Sequence, residues 1–481
     1  MTNYITNGIP CMVNNNSQER PLRLAILQRV CPGYRIALFS ALSSDSRIDA
    51  KLFIGDDIPG SKVKNATNLE GINYEKYKTK FVKLRERILP WHEGLILDLR
   101  KFNPDVILCE GESHFLGYIQ AIIYKYLFNN CVALVHWCFI SLPGWSKVGG
   151  EGYRSVIKRY FRRFFDAFLV YSSYSEQCLL KLGQPPEKIF IGTNVGDVEK
   201  FFNLSDSLID SPQEARYRLG LPERFTVLYV GSLESVKRPH IMLDLVKMCD
   251  NEKYNFVLLG SGMLLKQIRD RVINENLANV FVPGRVREEL PLYYRAADVL
   301  LIPGRGGIVI SEAMAFGLPV IVHQADGTEY DLVQNGTTGI HLSTGDHNDF
   351  RNALEFLLNN QSLCTKMGLM SRQIIESRFK TNDLVEQIVN TAYFARDHQN
   401  NLKRSRGYID VIKSKAKWCL KLLRGYGHLK PSVFVKKQWY GNNYGGFFIC
   451  PEFLNSNSIV YSFGIGEDIS FDQAVIYSHN C

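Results

Sequence analysis

Several features that would assign a protein to a class at once are scarce in this sequence of 481 residues. No run of about eighteen apolar residues occurs, so no membrane-spanning helix is expected. The eleven cysteines are scattered and never spaced as Cys-x-x-Cys. This excludes a zinc knuckle or a disulfide framework and favours a reducing, cytoplasmic location. Residues 1–20 are polar and rich in asparagine, which predicts a disordered segment and not a signal peptide.

Net positive charge is also missing from most of the chain. The formal net charge is +9, yet residues 401–440 hold eleven lysines and arginines against the single acidic residue Asp410. The other residues are therefore close to neutral in sum. Because nucleic-acid-binding enzymes usually carry a basic patch on their folded body, no nucleic-acid partner is expected.

The most informative stretch is residues 299–322. It contains, in order, an apolar strand, a glycine-rich turn, a helix that glycine and proline end, and a second strand: residues 299–302, 303–307, 308–316 and 319–322. Glycines let a ligand approach the backbone, and the start of a helix attracts an anion. Glu312, one turn into the helix, can accept hydrogen bonds from a sugar diol. The pattern therefore suits a nucleotide sugar.

This stretch resembles the donor-site signature of family 4 glycosyltransferases, which are retaining enzymes of the GT-B fold and belong to the glycosyl transferases group 1. Residues 312–320, Glu-Ala-Met-Ala-Phe-Gly-Leu-Pro-Val, match the second half of that signature. Gly304 stands where the family has a first glutamate that contacts the donor sugar. The resemblance implies an α/β fold with two Rossmann-like domains that face a cleft. The alternative is a buried turn in an unrelated Rossmann-like domain.

A second segment supports the same resemblance. Residues 231–237 match the family pattern Gly-Arg-Leu-x-x-x-Lys, except that Ser232 replaces the arginine. In the family these cations neutralise the donor diphosphate, which is the leaving group. We therefore expect Lys237 to act in catalysis, and Arg238, Arg305 or both to supply the missing charge. The donor-binding residues that the resemblance implies are Gly231, Ser232, Arg238, Gly260, Arg285, Arg305, Gly306, Gly307, Ile308 and Ser311.

Polar residues also follow predicted strands in the first half of the chain, where open α/β sheets bind ligands. Arg35 follows the strand Leu22 to Gln28, in a segment similar to the family's Gln-Arg-x-x-Pro-x-Tyr-Arg. It either meets a phosphate or forms a surface ion pair. Glu110 and Glu112 follow a strand at residues 104–109. These three residues are the acceptor-side candidates.

A histidine completes the set of catalytic candidates. His136 directly follows the predicted strand 132–135, at a position where the family places a histidine that reaches the reacting sugar. A structural histidine is the alternative. The catalytic residues that the resemblance implies are therefore His136, Lys237 and Glu312. No Asp-x-Asp metal motif occurs at the place where such enzymes carry it, so no metal is expected.

These segments predict six regions. They are a disordered start (1–20), an acceptor-side Rossmann-like domain (21–205), a donor-binding Rossmann-like domain (213–380), a helix that crosses back (381–400), a basic amphipathic helical linker (401–438) and a short α/β remnant (439–481).

The remnant carries a second resemblance. Residues 462–472, Ser-Phe-Gly-Ile-Gly-Glu-Asp-Ile-Ser-Phe-Asp, resemble the first motif of FkbM-type S-adenosylmethionine methyltransferases. The sequence stops before the next strand, whose acidic residue would hold the cofactor ribose. We expect a truncated methyltransferase fragment that binds no S-adenosylmethionine, and hence no cofactor.

Three functions remain open. The first is a retaining glycosyltransferase of surface-polysaccharide assembly, with a nucleotide-sugar donor and a saccharide or lipid-linked saccharide acceptor. The second is a sugar-nucleotide epimerase or hydrolase of the same fold, which would release free sugar. The third is a degenerate pseudoenzyme that binds donor without turnover, which Gly304 and Ser232 motivate.

The basic linker leads to a first prediction, that the protein binds membranes peripherally. Each basic residue near an anionic surface contributes about 1 kcal/mol of attraction, which salt weakens. The full chain should float with anionic vesicles at low salt and dissociate at high salt. A chain ending at residue 400 should float much less. Equal flotation of both chains would instead support a solvated linker.

Overall fold

The computed structural model describes residues 20–61, 63–84, 87–111, 115–140 and 160–404, together with 438–440, 447–449, 454, 473, 475, 476 and 478. The chain divides into two compact units, residues 1–405 and 406–481. In the second unit, the strands Gln438–Tyr440 and Phe447–Ile449 pair antiparallel. Nearly all of the predicted basic linker, and the whole methyltransferase-like motif, lie outside the described residues.

The first domain is built on a parallel sheet, which has seven strands among the described residues. These strands are β1 (Leu22–Leu27), β2 (Ile48–Gly55), β3 (Tyr74–Tyr77), β6 (Val106–Glu110), β7 (Ala133–Cys138), β8 (Ala167–Val170) and β9 (Ile189–Ile191). A separate antiparallel hairpin consists of β4 (Thr79–Leu84) and β5 (Arg87–His92). The helices among the described residues of this domain are α1 (Ile36–Ser44), α2 (Leu95–Phe102), α3 (Phe115–Leu127) and α4 (Ser173–Lys181).

The second domain has a six-stranded parallel sheet. Its strands are β10 (Phe225–Val230), β11 (Tyr254–Leu259), β12 (Val280–Gly284), β13 (Val299–Ile302), β14 (Val320–Val322) and β15 (Gly339–His341). Its helices are α5 (Val198–Ser207), α6 (Pro212–Arg218), α7 (His240–Val246), α8 (Leu265–Asn274), α9 (Leu290–Ala296), α10 (Val309–Ala315), α11 (Glu329–Leu332), α12 (His347–Asn359) and α13 (Gln361–Arg378). The long helix α14 (Thr381–Arg404) follows.

Both sheets reverse their strand order at one point. The first sheet runs β3-β2-β1-β6-β7-β8-β9, and the second runs β12-β11-β10-β13-β14-β15. The order therefore reverses between β1 and β6, and again between β10 and β13. Open parallel sheets bind ligands at the carboxyl ends of the strands beside such a point. The expected pair of Rossmann-like domains is confirmed.

The central strands of the second sheet have largely apolar sequences. All four residues of β13 and all six of β11 are buried, because helices cover both faces of a parallel sheet. None of the helices in the described ranges is both long enough and apolar enough to cross a membrane.

The helices between the domains correct the predicted boundary at residue 205. Val198 and Phe202 of α5 pack into the core of the second domain, so the first domain ends before this helix. Asp197 accepts a hydrogen bond from the Lys200 amide at the start of α5. Ser211 and Glu214 form a capping box at the start of α6. Residues 198–218, on both sides of the predicted boundary, are therefore mostly helical.

The helix α14 carries the chain back to the first domain. Its apolar face joins the core beneath β1 and β7 through Leu384, Val385, Ile388, Val389, Ala392 and Ala395. The structure extends this helix to Arg404, four residues beyond the predicted end of the crossover helix at residue 400.

A buried ion pair in the first domain leads to a stability prediction. Lys125 Nζ lies 2.6 Å from Asp166 Oδ2, and the two side chains are only 4% and 10% exposed. The same carboxylate accepts a hydrogen bond from the Leu134 amide. Lys125→Met would leave the carboxylate buried and unneutralised, which should lower the free energy of unfolding by about 3–5 kcal/mol. Urea denaturation measures this loss.

The matched control is Lys101→Met. Lys101 pairs with Asp98 on the surface of α2 and is 80% exposed, so its removal should leave the denaturation midpoint nearly unchanged. Equal losses in the two variants would contradict the account of the buried pair.

Candidate active site

The loops that follow β10 and β13 meet at the point where the second sheet reverses its strand order. After β10 the chain forms a 3-10 turn, Ser235–Lys237, and after β13 it forms the glycine-rich turn 303–307. The Arg305 amide donates a hydrogen bond to the Val236 carbonyl oxygen over 3.2 Å, which joins the two loops. Most of the predicted donor residues lie on or beside these loops.

Lys237 is the cation at the centre of this site. Its Nζ lies 3.4 Å from the position that a Cβ on Gly231 would take. Burial lowers the pKa of the ammonium group; Asp326 opposes this shift, and the nearby Arg305 adds to it. Two cations, Lys237 and Arg305, and two carboxylates, Asp326 and Glu234, therefore lie close together at the loops.

Gly304 shows why the family's first glutamate is missing. A Cβ at this position would lie 2.9 Å from the carbonyl carbon of Lys237 and 3.0 Å from the carbonyl oxygens of Val236 and Lys237. A side chain would therefore have to displace the backbone of the lysine turn. In this chain, close packing of the two loops occupies the space that the glutamate would need.

Arg238 does not fill the place of the missing arginine. Its guanidinium donates hydrogen bonds to the carbonyl oxygens of Pro303, at 3.3 Å, and Gly345, at 2.7 Å. The expectation that Arg238 supplies charge to a ligand therefore needs correction, because the side chain joins two loops. Arg305 lies near enough to Lys237 and Asp326 to shift the pKa of both.

Glu312 lies on α10 and is half-buried. Its Oε2 accepts a hydrogen bond from the Tyr294 hydroxyl over 3.1 Å. Burial raises the pKa of its carboxyl group to about 7; the Tyr294 hydrogen bond and the charge of Lys200 limit the rise. Near neutral pH the group is therefore divided between its charged and neutral forms.

Ser311 and Ile308, two other predicted donor residues, contact the first domain. The Ser311 hydroxyl accepts a hydrogen bond from the Gly196 amide over 3.2 Å and donates one to the Ile308 carbonyl oxygen over 2.8 Å. A Cβ on Gly196 would lie 2.6 Å from Ile308 Cγ2. These contacts place the end of the first domain against the start of α10.

The other predicted donor residues lie in the loops that follow β10, β11, β12 and β13. Gly260 follows β11 and packs its backbone onto Gly231, and the Ser232 carbonyl accepts a hydrogen bond from the Tyr229 hydroxyl. Gly306 and Gly307 lie in the turn after β13, whereas Arg285 is exposed after β12.

On the first-domain side, Arg35 is buried and does not form the surface ion pair that the sequence left open. Its guanidinium lies 4.5 Å from the centre of the Trp137 ring, and its Nη2 donates to Asn194 Oδ1 over 2.7 Å. The Tyr171 hydroxyl lies 3.4 Å from the same nitrogen. Arg35 is thus a cation held among aromatic rings beside the segment that contacts α10.

Glu110, at the end of β6, accepts a hydrogen bond from the Arg29 amide at the end of β1. Burial raises the pKa of its carboxyl group, and the charges of Arg29 and Arg35 oppose that shift. Glu112, the third acceptor-side candidate, lies outside the described residues.

His136 does not lie where the sequence predicted. The strand β7 continues to Cys138, so the predicted end at Val135 was wrong and His136 is in mid-strand. The side chain is 5% exposed, and its ring lies 4.7 Å from that of Phe165, with Cys138 Sγ 3.0 Å from Nδ1. The structure favours the alternative of a structural histidine over contact with a sugar.

Asp326, which sequence reasoning missed, lies in the loop after β14. The residue is 5% exposed, and burial raises the pKa of its carboxyl group, while hydrogen bonds from Thr328 and the charges of Lys237 and Arg305 lower it. An aspartate shortly after the strand beside β13 was the available signal. In the described part of the chain, no three or more His, Cys, Asp or Glu side chains group as a metal site.

Two Rossmann-like domains, each built on a parallel sheet, form a fold that this chain shares with GT-B glycosyltransferases. Residues 213–373 match the family model described as glycosyl transferases group 1. This segment contains the second sheet and the loops of Lys237 and Glu312.

Relatives in sequence extend the comparison. An uncharacterized 41.2 kDa protein in the cps region of Klebsiella pneumoniae is 24% identical over 61% of this chain and 80% of its own length. The capsular polysaccharide biosynthesis glycosyltransferase CapM of Staphylococcus aureus is 28% identical over 41% of this chain. The chain spans 52% of CapM, and 40–43% of two other relatives.

Solved structures show the same fold. Anabaena Alr3699/HepE, crystallised with UDP, superposes with a TM-score of 0.60 at 20% identity, covering 77% of this chain and 99% of that protein. The sucrose-phosphate synthase of Thermosynechococcus elongatus gives a TM-score of 0.59 at 19% identity, covering 77% of this chain and 98% of that protein. At these identities the likeness establishes the fold.

The burial of Glu312 leads to a prediction about pH. A carboxyl whose pKa rises from 4.5 to about 7 on folding contributes stability below pH 4.5 that is lost as pH rises to 7. Glu312→Gln removes this dependence. Relative to the unmodified chain, it should therefore gain stability between pH 4.5 and pH 8, by an amount on the order of 3 kcal/mol.

Urea denaturation of both chains at the two pH values measures the difference. Glu376→Gln, at an exposed position of α13, is the control for loss of one carboxylate. A difference between Glu312→Gln and the unmodified chain that is the same at both pH values would contradict the burial of this carboxyl.

Proposed function

We propose that this protein is a retaining glycosyltransferase that moves a sugar from a nucleotide-sugar donor to a saccharide acceptor in surface-polysaccharide assembly. The single observation that carries the proposal is the position of Lys237, which lies beside Arg305 at the carboxyl edge of a sheet in a glycosyl transferases group 1 domain. A relative named for capsular polysaccharide biosynthesis, and another encoded in a cps region, support the pathway.

The donor is a nucleoside diphosphate sugar. The structurally similar protein Anabaena Alr3699/HepE has been crystallised with UDP and with UDP-glucose, which supports this class of ligand. The diphosphate would bind near Lys237 and Arg305, whose charges suit it. Glu312 would accept hydrogen bonds from ribose hydroxyls in its charged form.

The reaction needs a stabilised leaving group above all. The acceptor hydroxyl attacks the anomeric carbon on the face from which the diphosphate departs, the bond from that carbon to the diphosphate oxygen breaks, and the hydroxyl proton passes to the departing diphosphate. Negative charge grows on that diphosphate, and Lys237 stabilises it. With two cations at this place, we propose that the reaction needs neither a metal nor S-adenosylmethionine.

The acceptor would enter from the first domain. Arg35 and Glu110 follow β1 and β6, the strands between which the first sheet reverses its order, so the acceptor-binding role predicted for them is part of the proposal. A lipid-linked saccharide would suit a protein that the basic linker holds at the inner face of the cytoplasmic membrane.

Lys237→Ala tests the proposal through the chemical step. Loss of one group that stabilises developing charge costs about 3–4 kcal/mol, so kcat should fall about 10²–10³-fold. Glu312→Ala should weaken donor binding as well. The control is Lys247→Ala, an exposed lysine of the same domain that pairs with Glu275 and should leave kcat unchanged.

The substrates for this test come from a thermal-shift panel of UDP-, GDP-, ADP- and CMP-sugars, followed by detection of the glycosidic product with and without EDTA. Release of free sugar would favour a hydrolase or epimerase. Donor binding without turnover on any acceptor would favour a pseudoenzyme. Full activity in both site variants would contradict the assignment of the donor site.

A further inference from the structure

The buried carboxylate of Asp326 lies in the loop between β14 and α11, and the proposed chemistry does not use it. Only 5% of the residue is exposed. Its Oδ1 accepts hydrogen bonds from the Thr328 hydroxyl over 2.6 Å and from the Thr328 amide over 3.2 Å. These two bonds hold the carboxylate in one orientation.

The second oxygen, Oδ2, points toward the glycine-rich turn. A Cβ on Gly307 would lie 2.7 Å from Oδ2, and Gly307 has a φ of +148°, in the region that favours glycine. The turn thus leaves the face of the carboxylate bare of a side chain. Within the described residues, the hydrogen bonds found on this carboxylate all end on Oδ1.

Positive charge lies close to this carboxylate. Lys237 and Arg305 both lower the pKa of the Asp326 carboxyl group, and Asp326 in turn raises the pKa of Lys237. A phosphate placed against Oδ2 would be repelled, whereas the two cations attract one. The ligand group that suits Oδ2 is therefore uncharged, carries O–H donors and lies next to a diphosphate.

The backbone packed around Gly304 leaves no space for a side chain at that position. A Cβ there would meet the backbone of Val236 and Lys237, so a carboxylate cannot enter the turn from that position unless the loops move. Asp326 instead brings a carboxylate to the glycine-rich turn from the next strand of the sheet.

From this arrangement we propose that Asp326 accepts hydrogen bonds from hydroxyls of the donor sugar and determines which sugar the enzyme accepts. The inference rests on the proposed function, because it names the group that binds the sugar of the same donor. Lys237 and Arg305 bind the diphosphate, and Asp326 binds the hexose hydroxyls beside it.

The test compares a nucleotide with its sugar. Calorimetry measures the Kd of UDP and of UDP-glucose for the full chain and for Asp326→Asn, with GDP and GDP-mannose in parallel. Hydrogen bonds to a charged group are stronger than neutral ones, so the variant should bind the nucleotide sugar about 10- to 100-fold more weakly. Its affinity for the nucleoside diphosphate should change less than about threefold.

Two further variants keep the result interpretable. Thr328→Val removes the hydroxyl that fixes Oδ1 but keeps the charge, so it should also weaken binding of the nucleotide sugar more than binding of the diphosphate. Glu329→Gln is the matched control for the loop. Glu329 is buried and accepts hydrogen bonds from the Ala325 and Gly327 amides, so the change should lower the melting temperature and affect both ligands alike.

Four outcomes are decisive. Equal changes for UDP and UDP-glucose in Asp326→Asn would make Asp326 a counter-ion of Lys237 and overturn the inference, and so would no change for either. A shift confined to the nucleotide sugar supports it. An unmodified chain that binds neither nucleotide pair would overturn the proposed function itself, which is a separate result.

Discussion

The candidate site depends on contact between backbones at the carboxyl edge of the second sheet. A Cβ on Gly260 would overlap the carbonyl oxygen of Gly231, and a Cβ on Gly262 would overlap that of Leu233. Gly304 packs against the lysine turn in the same way. Side chains at these three positions would push the loops of β10, β11 and β13 apart. Because they are glycines, the loops pack tightly enough to hold Lys237 beside Arg305 and Asp326.

Where the sequence contains strong local signals, it predicts the structure closely. The helix expected at 308–316 is observed as Val309–Ala315, since Gly317 adopts a positive φ and Pro319 prevents continuation. The hairpin Thr79–His92 was missed, because its alternating lysines resemble a solvated surface and its partner strand was not recognised. The helices α5 and α6 were missed although their capping residues were readable.

The site was predicted in part, for a different reason. Lys237 and Glu312 were predicted because they occupy fixed places in a motif. Arg238 has a suitable charge, but only the structure reveals that two carbonyl groups already bind it. The side chain of His136 lies against the rings of Phe165 and Tyr118, and strand periodicity alone does not tell which face of the sheet it occupies. Asp326 lies in a loop, where no periodic sequence pattern marks it. It becomes a candidate only because the fold brings it close to Lys237 and Arg305.

The path of the chain between the domains limits how the cleft can open. The chain leaves the first domain just before α5 and returns just after α13, and the two crossings are joined where Glu199 accepts hydrogen bonds from the Thr381 amide, at 2.9 Å, and hydroxyl, at 2.7 Å. The two connections therefore lie side by side, are joined by hydrogen bonds, and together form a single hinge between the domains. Rotation about this hinge would separate the two sheets without stretching either connection. Sliding of one domain along the other would have to break the hydrogen bonds between Glu199 and Thr381. Glu199 thus holds the two connections together and favours rotation over sliding as the relative motion of the two domains.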